Sequence, residues 1–418
     1  MDKISISHSV TDRFLRYVKI DTQSDPASNS YPTTEKQKDL GRVLLSELKA
    51  IGINDAELDE FGLIYATIPA TSNKKVPVIC YCSHMDTSPD SSGKNVKPII
   101  HKKYNGKDIT LPDDSNQVIS PKDHPDLLEQ IGNDIITASG TTLLGADNKS
   151  GIAAIMDAAE FLVKNPHLPH GKIRILFTVD EEVGKGVDNV NLKKLGADFA
   201  YTIDGETLGS IENETFSADG ATITIQGISS HPGFAKAKLI NSIKIAGEIL
   251  SALPKKALSP ETTEKRQGFI HPVSVQGIAE TSTITFILRD FDNKGLNEKG
   301  LKLKEIVNKI MIKYPKASAE VKIFEQYRNM KQVLDKSPQV TNYAIAAIQR
   351  AGIKPKKQSI RGGTDGSRLS LMGLPCPNIF AGEHAFHSKH EWVSVQDMEK
   401  AAETLIHLAM IWEEKSSK

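Results

Sequence analysis

Two histidines and a scatter of carboxylates stand in short patterns that invite metal chemistry. His84 and Asp86 are two apart in SHMDTSP, Asp147 lies in LLGADNKSG, and Asp180, Glu181 and Glu182 are side by side in FTVDEEVGKG. Asp204 follows FAYTI, and His387 lies in AFHSKHE. Imidazole with carboxylate and no thiolate suits zinc, with cobalt or manganese as substitutes, over the oxygen-only sets expected for calcium or magnesium. Two histidines and three carboxylates exceed the three ligands that one catalytic zinc takes. Two cations sharing a carboxylate, about 3.5–4 Å apart, use that surplus; such a pair can hold a hydroxide and polarise a carbonyl. Taken singly, each residue has a plain structural reading: Asp147 as a helix cap, Asp204 before Gly205 as a turn residue, the acidic run as a solvated loop. Their conjunction at five strand ends points to hydrolysis.

The elements that must position them alternate. TEKQKDLGRVLLSELKAIG predicts a helix with Leu40, Val43, Leu44 and Leu48 on one stripe, VPVICYCSHMD a buried strand, GIAAIMDAAEFLVKN a second helix, and KIRILFTVD and DFAYTID further strands. Short apolar strands between helices predict an α/β sheet covered on both faces. Residues 90–134 show little periodicity and are expected to form an irregular excursion near the mouth of the site.

From Thr215 the pattern changes. GATITIQGI, AKLINSIKIAGEILSAL, HPVSVQGIAE, TSTITFILRDFD, NEKGLKLKEIVNKIMIKYP and SAEVKIFEQY read in order as β-α-β-β-α-β, a split plait. The expected organisation is a catalytic domain in two parts, 1–213 and 329–418, with the plait, 214–328, inserted between them.

Composition narrows the function classes. In 418 residues, Lys+Arg and Asp+Glu are 52 each, so no global field recruits nucleic acid or anionic membrane. The charged N-terminal stretch lacks a signal-peptide core, and no run is long enough to span a bilayer, so a cytoplasmic location is expected. Only three cysteines occur, Cys80, Cys82 and Cys376, which suits a reducing compartment. The first two share one face of a strand and read as small core residues.

SHMDTSP, GADNKSG, TVDEEVG, TIDGE and FHSKHEW, in that order, resemble the zinc aminopeptidase/carboxypeptidase/aminoacylase superfamily, and the likeness to its tripeptide aminopeptidase branch runs end to end. The resemblance implies a mixed sheet covered by helices with a ferredoxin-like lid, two zinc ions per subunit, and hydrolysis of the N-terminal peptide bond of tripeptides. On matching positions, His84 and Asp204 would bind one zinc, Glu182 and His387 the other, with Asp147 bridging and followed by a cis peptide. Asp86 would orient the His84 ring. Glu181 would be the general base, so that Glu182 holds metal while its neighbour faces the water.

The lid would supply specificity and join two subunits, with His231 of SSHPG reaching across a homodimer to steady the oxyanion and Asn241 nearby. Arg289 and Arg361 are candidate clamps for a peptide carboxylate, because guanidinium binds carboxylates bidentately. His384 and His390 compete with His387 for the ligand role, and the pattern His-Ser-x-x-Glu favours His387. Asp180 is expected to be a solvated or hydrogen-bonded support. The same metal core also suits a dipeptidase or N-acyl amino acid hydrolase, or a non-catalytic peptide binder.

Overall fold

VPVICYCSH becomes the Ile79–His84 strand, and all six of its residues are buried. That is the expected fate of a continuous apolar run in a sheet covered on both faces. The structure, a computed structural model, describes residues 6–417. The strand is central to an eight-stranded sheet ordered Glu57–Leu58, Ile64–Ile68, Ile173–Thr178, Ile79–His84, Phe199–Gly205, Asn378–Phe380, Ser210–Thr215, Lys356–Ile360. Ile79–His84 runs parallel to both Ile173–Thr178 and Phe199–Gly205, and Phe199–Gly205 runs parallel to Asn378–Phe380. Four adjacent strands therefore end at the same edge, which is where open α/β sheets place their ligands.

Helices Ala146–Lys164 and Val395–Glu414 pack on each other, with 14 of 19 and 15 of 20 residues buried. Cys80, Cys82 and Cys376 are free and buried in the main core. Tyr81 donates from its hydroxyl to Leu405 O at 2.7 Å, which ties the central strand to the last helix. Among the described residues, no helix is long and apolar enough to cross a membrane.

The chain separates into two compact units, one of Met1–Asn213, Gln332–Gln358 and Thr364–Lys418, the other of Glu214–Lys331 and Ser359–Gly363. The second carries a four-stranded antiparallel sheet ordered Phe269–Gly277, Thr281–Asp290, Ser217–Gln226, Ser318–Tyr327, with helices Ser242–Ser251 and Asn293–Met311. Its chain order is the β-α-β-β-α-β plait read from the sequence. Strict alternation of burial along Thr281–Asp290 explains the legibility, since one face packs on the helices and the other does not.

Most of residues 90–134 is irregular, as expected, and short elements interrupt it. They include the strands Ile99–His101, Ile109–Thr110 and Val118–Ile119 and the 3-10 helix Pro125–Gln130. Tyr104, Ile109, Leu111, Ile119 and Leu127 join Ile135 and Trp392 in a small separate core. Strands of two or three residues are too short to print a period in the sequence.

Candidate metal centre

The parallel strand ends deliver three of the five acid and imidazole groups to one place, and a helix start and a loop, rather than the expected strand ends, bring Asp147 and His387. His84 is the last residue of its strand, Asp204 the penultimate residue of Phe199–Gly205, and Glu182 lies in the turn after Ile173–Thr178. Asp147 opens the buried helix, and the Asp147–Asn148 peptide is cis. His84 Nε2 lies 2.9 Å from Asp147 Oδ1 and 3.4 Å from Asp204 Oδ1. His387 Nε2 lies 2.8 Å from Glu182 Oε2 and 3.3 Å from Asp147 Oδ2. The two oxygens of Asp147 thus face different histidines, so two three-residue clusters share one carboxylate: His84, Asp147, Asp204 and Asp147, Glu182, His387.

These separations suit cations. Zinc bonds of about 2.0–2.2 Å in tetrahedral array put donor atoms about 3.4 Å apart; His84–Asp204 and His387–Asp147, at 3.4 and 3.3 Å, match that spacing, and His84–Asp147 and His387–Glu182, at 2.9 and 2.8 Å, are shorter. Glu182 Oε1 is buried without a hydrogen-bond partner, an acceptor that a cation would satisfy. The residues therefore fit a two-cation centre by donor type, spacing and unmet valence.

Each histidine is turned by its other nitrogen. His84 Nδ1 lies 3.1 Å from Asp86 O and 3.3 Å from Asp86 Oδ1, which leaves Nε2 for the cluster. His387 Nδ1 faces Asp90 Oδ2 at 3.3 Å, an orienting partner that the sequence did not reveal. Asp86 reaches further: its two oxygens accept the backbone N–H groups of Glu181 and Glu182.

Burial and charge pull against each other here. Burial disfavours the cationic forms of both rings, yet the facing carboxylates prevail: His84 is raised well above its usual range and His387 is pushed up to about 11. Asp147, despite burial, is held below the usual carboxylate range by hydrogen bonds to both rings. Burial, reinforced by the charge of Asp147, pushes Glu182 up to about 8, and burial lifts Glu181 well above its ordinary value. Glu181 Oε2 lies 4.0 Å from His84 Nε2, beside the cluster and outside both ligand triads.

Other residues carry roles that the sequence left open or missed. Asp180 is fully buried and accepts from Thr33 N–H at 2.6 Å and Gln37 Nε2 at 2.6 Å, so it is a hydrogen-bonded support. Glu391 accepts from the N–H groups of Leu144, Gly145 and Asp147 at 2.7, 2.8 and 3.0 Å and so anchors the loop that presents Asp147. It is the final residue of the His-Ser-x-x-Glu pattern, the one sequence signal that pointed to it. Asp365, buried, accepts from Thr178 Oγ1 at 2.6 Å, and no local pattern announced it. His390 turns away from the clusters to Gln117 Oε1 at 3.1 Å.

The four substrate-side candidates lie in the second unit. His231 begins an exposed turn, where its Nδ1 accepts from Gly233 N–H at 3.2 Å. Asn241 caps the Ser242–Ser251 helix. Arg289 donates to Leu288 O at 3.0 Å and Gln326 Oε1 at 2.9 Å. Arg361 donates to Lys265 O and Gln267 O, both at 2.8 Å, with its guanidinium against the Phe216 and Phe269 rings.

Comparison with known proteins agrees with this geometry. The model of peptidase family M20/M25/M40 matches residues 137–411. Peptidase T of Geobacillus thermodenitrificans is 46% identical over 412 residues, covering 99% of this chain and all of that one. The crystal structure of aminopeptidase PepT from Bacillus cereus superposes with a TM-score of 0.73 at 22% identity, covering 96% of this chain and 98% of the other. The Bacillus subtilis YXEP protein, described as a dinuclear metal binding peptidase, superposes with a TM-score of 0.65 at 16% identity over 97% and 98% of the two chains. Placed beside a sheet edge that gathers two ligand triads around one shared carboxylate, these likenesses lead to one conclusion: the chain belongs to peptidase family M20/M25/M40.

Proposed function

We propose that the chain is a two-cation aminopeptidase of the peptidase T type, releasing the N-terminal residue of tripeptides in the cytoplasm. The observation that carries the reading is Asp147, with one oxygen toward His84 and the other toward His387. Full-length similarity to peptidase T supports the substrate class. Zinc is the proposed ion, with cobalt or manganese as substitutes, because the donors are imidazole and carboxylate. His84 and Asp204 would hold one cation, Glu182 and His387 the other, and Asp147 both.

When bound, the cation pair would polarise the scissile carbonyl and make water acidic enough to lose a proton. Glu181 takes that proton as the water oxygen attacks the carbonyl carbon. The same carboxyl then gives the proton to the departing amine nitrogen as the C–N bond breaks. Its N–H, fixed by Asp86, sets where the side chain starts.

The second unit is proposed as lid and dimer interface, with His231 reaching a neighbouring subunit's oxyanion. Sedimentation is expected to give a dimer; a fully active monomer removes that role. Asn241, Arg289 and Arg361 are proposed on the substrate side, and their existing partners make alanine variants informative. A substrate role lowers kcat/KM at unchanged Tm, whereas a purely structural one lowers Tm.

The deciding experiment is a panel of di-, tri- and tetrapeptides and N-acyl amino acids. Preferred release of the N-terminal residue from tripeptides is expected. Preference for dipeptides or acylated amino acids would replace the reading with a dipeptidase or aminoacylase.

A further inference from the structure

Apart from the paired triads, a third set of ligand-type side chains meets in the first unit. Asp126 comes from the Pro125–Gln130 turn, Glu206 lies just beyond the Phe199–Gly205 strand, and His384 ends the Glu383–His384 strand. One donor atom from each lies within 4.8 Å of the others.

The histidine is the informative member. Its side chain is only 4% exposed, and its ring stacks on Trp392 with centroids 4.0 Å apart and planes 7° apart. Neither ring nitrogen has a hydrogen-bond partner. A buried polar atom without a partner costs about 1–3 kcal/mol, so such a ring is expected to serve something. Nδ1 faces Asp126 Oδ2 at 3.6 Å and Glu206 Oε1 at 3.9 Å. Both distances exceed hydrogen-bond reach, yet they are close to the donor spacing around a cation with bonds of about 2.1 Å. Asp126 and Glu206 are about half-exposed, so the remaining coordination positions open to water.

We propose that His384, Asp126 and Glu206 bind a third divalent ion of the zinc and manganese class, separate from the dinuclear centre. One nitrogen and two oxygens favour such an ion over calcium or magnesium. The ion would join three segments that are distant in sequence. It would also fix the base of the turn that carries His387, three residues after His384, in which Ala385 and His387 both have positive φ (51° and 61°). Its role is positional, and the peptide-cleaving chemistry stays with the other two ions.

The test uses the intact chain and the double variant D126N/E206Q, whose exposed positions tolerate isosteric amides. After equilibrium dialysis against Mn2+, elemental analysis is expected to find one ion fewer per chain in the variant, whatever the wild-type total. Co2+ provides a second readout. Bound beside Trp392 it quenches that residue's fluorescence, so a quenching step present in wild type is expected to vanish in the variant. It is also expected to vanish in His384→Phe, which keeps a ring against Trp392. Equal ion counts in wild type and D126N/E206Q, or an unchanged Co2+ quenching curve in either variant, overturn the third site. Because the readout is a difference between chains, it holds even if the tripeptide reading fails.

Discussion

Asp86 and Glu181 are joined through the backbone: Asp86 Oδ1 accepts the Glu181 N–H at 3.0 Å, while Oδ2 accepts the Glu182 N–H at 3.1 Å. The same carboxylate sits 3.3 Å from His84 Nδ1. One fully buried side chain therefore orients a ligand ring and the turn bearing the proposed base.

Asp86→Asn replaces one of these acceptors with a donor. Loss of an orienting partner commonly weakens metal binding about 10–100-fold, and a fall of that size is expected in chelator competition, together with a lower kcat. Wild-type metal affinity in the variant rules the orienting role out.

Glu181→Gln keeps the volume and removes the base. A fall in kcat of about 100-fold or more is expected with metal content unchanged by elemental analysis. Near wild-type turnover with full metal loading assigns the proton transfer elsewhere.

Chelation at neutral pH is expected to abolish turnover, and Zn2+, Co2+ or Mn2+ to restore it. Affinity is expected to rise with pH, because the carboxylates hold both rings protonated until the ion displaces those protons. Calorimetry in buffers of different ionisation enthalpy reads the proton release directly. Turnover that persists after metal removal is verified contradicts the two-cation reading.

His8 gives a pH-dependent contribution to stability well away from the metal ligands. Burial opposes its charge, but the hydrogen bond to Asp157, 2.6 Å from Nδ1, outweighs this and raises its pKa. A raised folded-state value means that the stabilisation is complete below the unfolded pKa, about 6.5, and fades as pH climbs through the folded one. The Tm gap between wild type and His8→Gln is therefore expected to be widest below about pH 6 and to narrow in alkali. Hydrogen bonds to charged groups contribute about 1.5–3 kcal/mol, which sets the scale of the acid-side gap. A gap that is flat with pH dismisses the linkage.

Asp180→Ala strands the Thr33 N–H and the Gln37 amide and leaves alanine at a φ of 59°. Each unsatisfied buried group costs about 1–3 kcal/mol, so a clear loss in denaturant midpoint is expected. An unchanged midpoint makes the buried network dispensable.

The sequence by itself determined the element order and the plait, and it singled out the acid and imidazole groups that are proposed as ligands. Those features are local: a period of two or 3.6, or a short motif ending an apolar run, is written in neighbouring residues. The Thr281–Asp290 strand and the Asp180–Glu182 run were legible for that reason. Only the tertiary structure decided that Asp90 faces His387, that Glu391 holds the Asp147 loop, that Asp180 is buried under Thr33 and Gln37, and that His384 lies between Trp392 and two carboxylates. Each of those contacts joins segments far apart along the chain. What brings them together is the shared edge of four parallel strands and the packing around it, a relation that no local window of sequence contains.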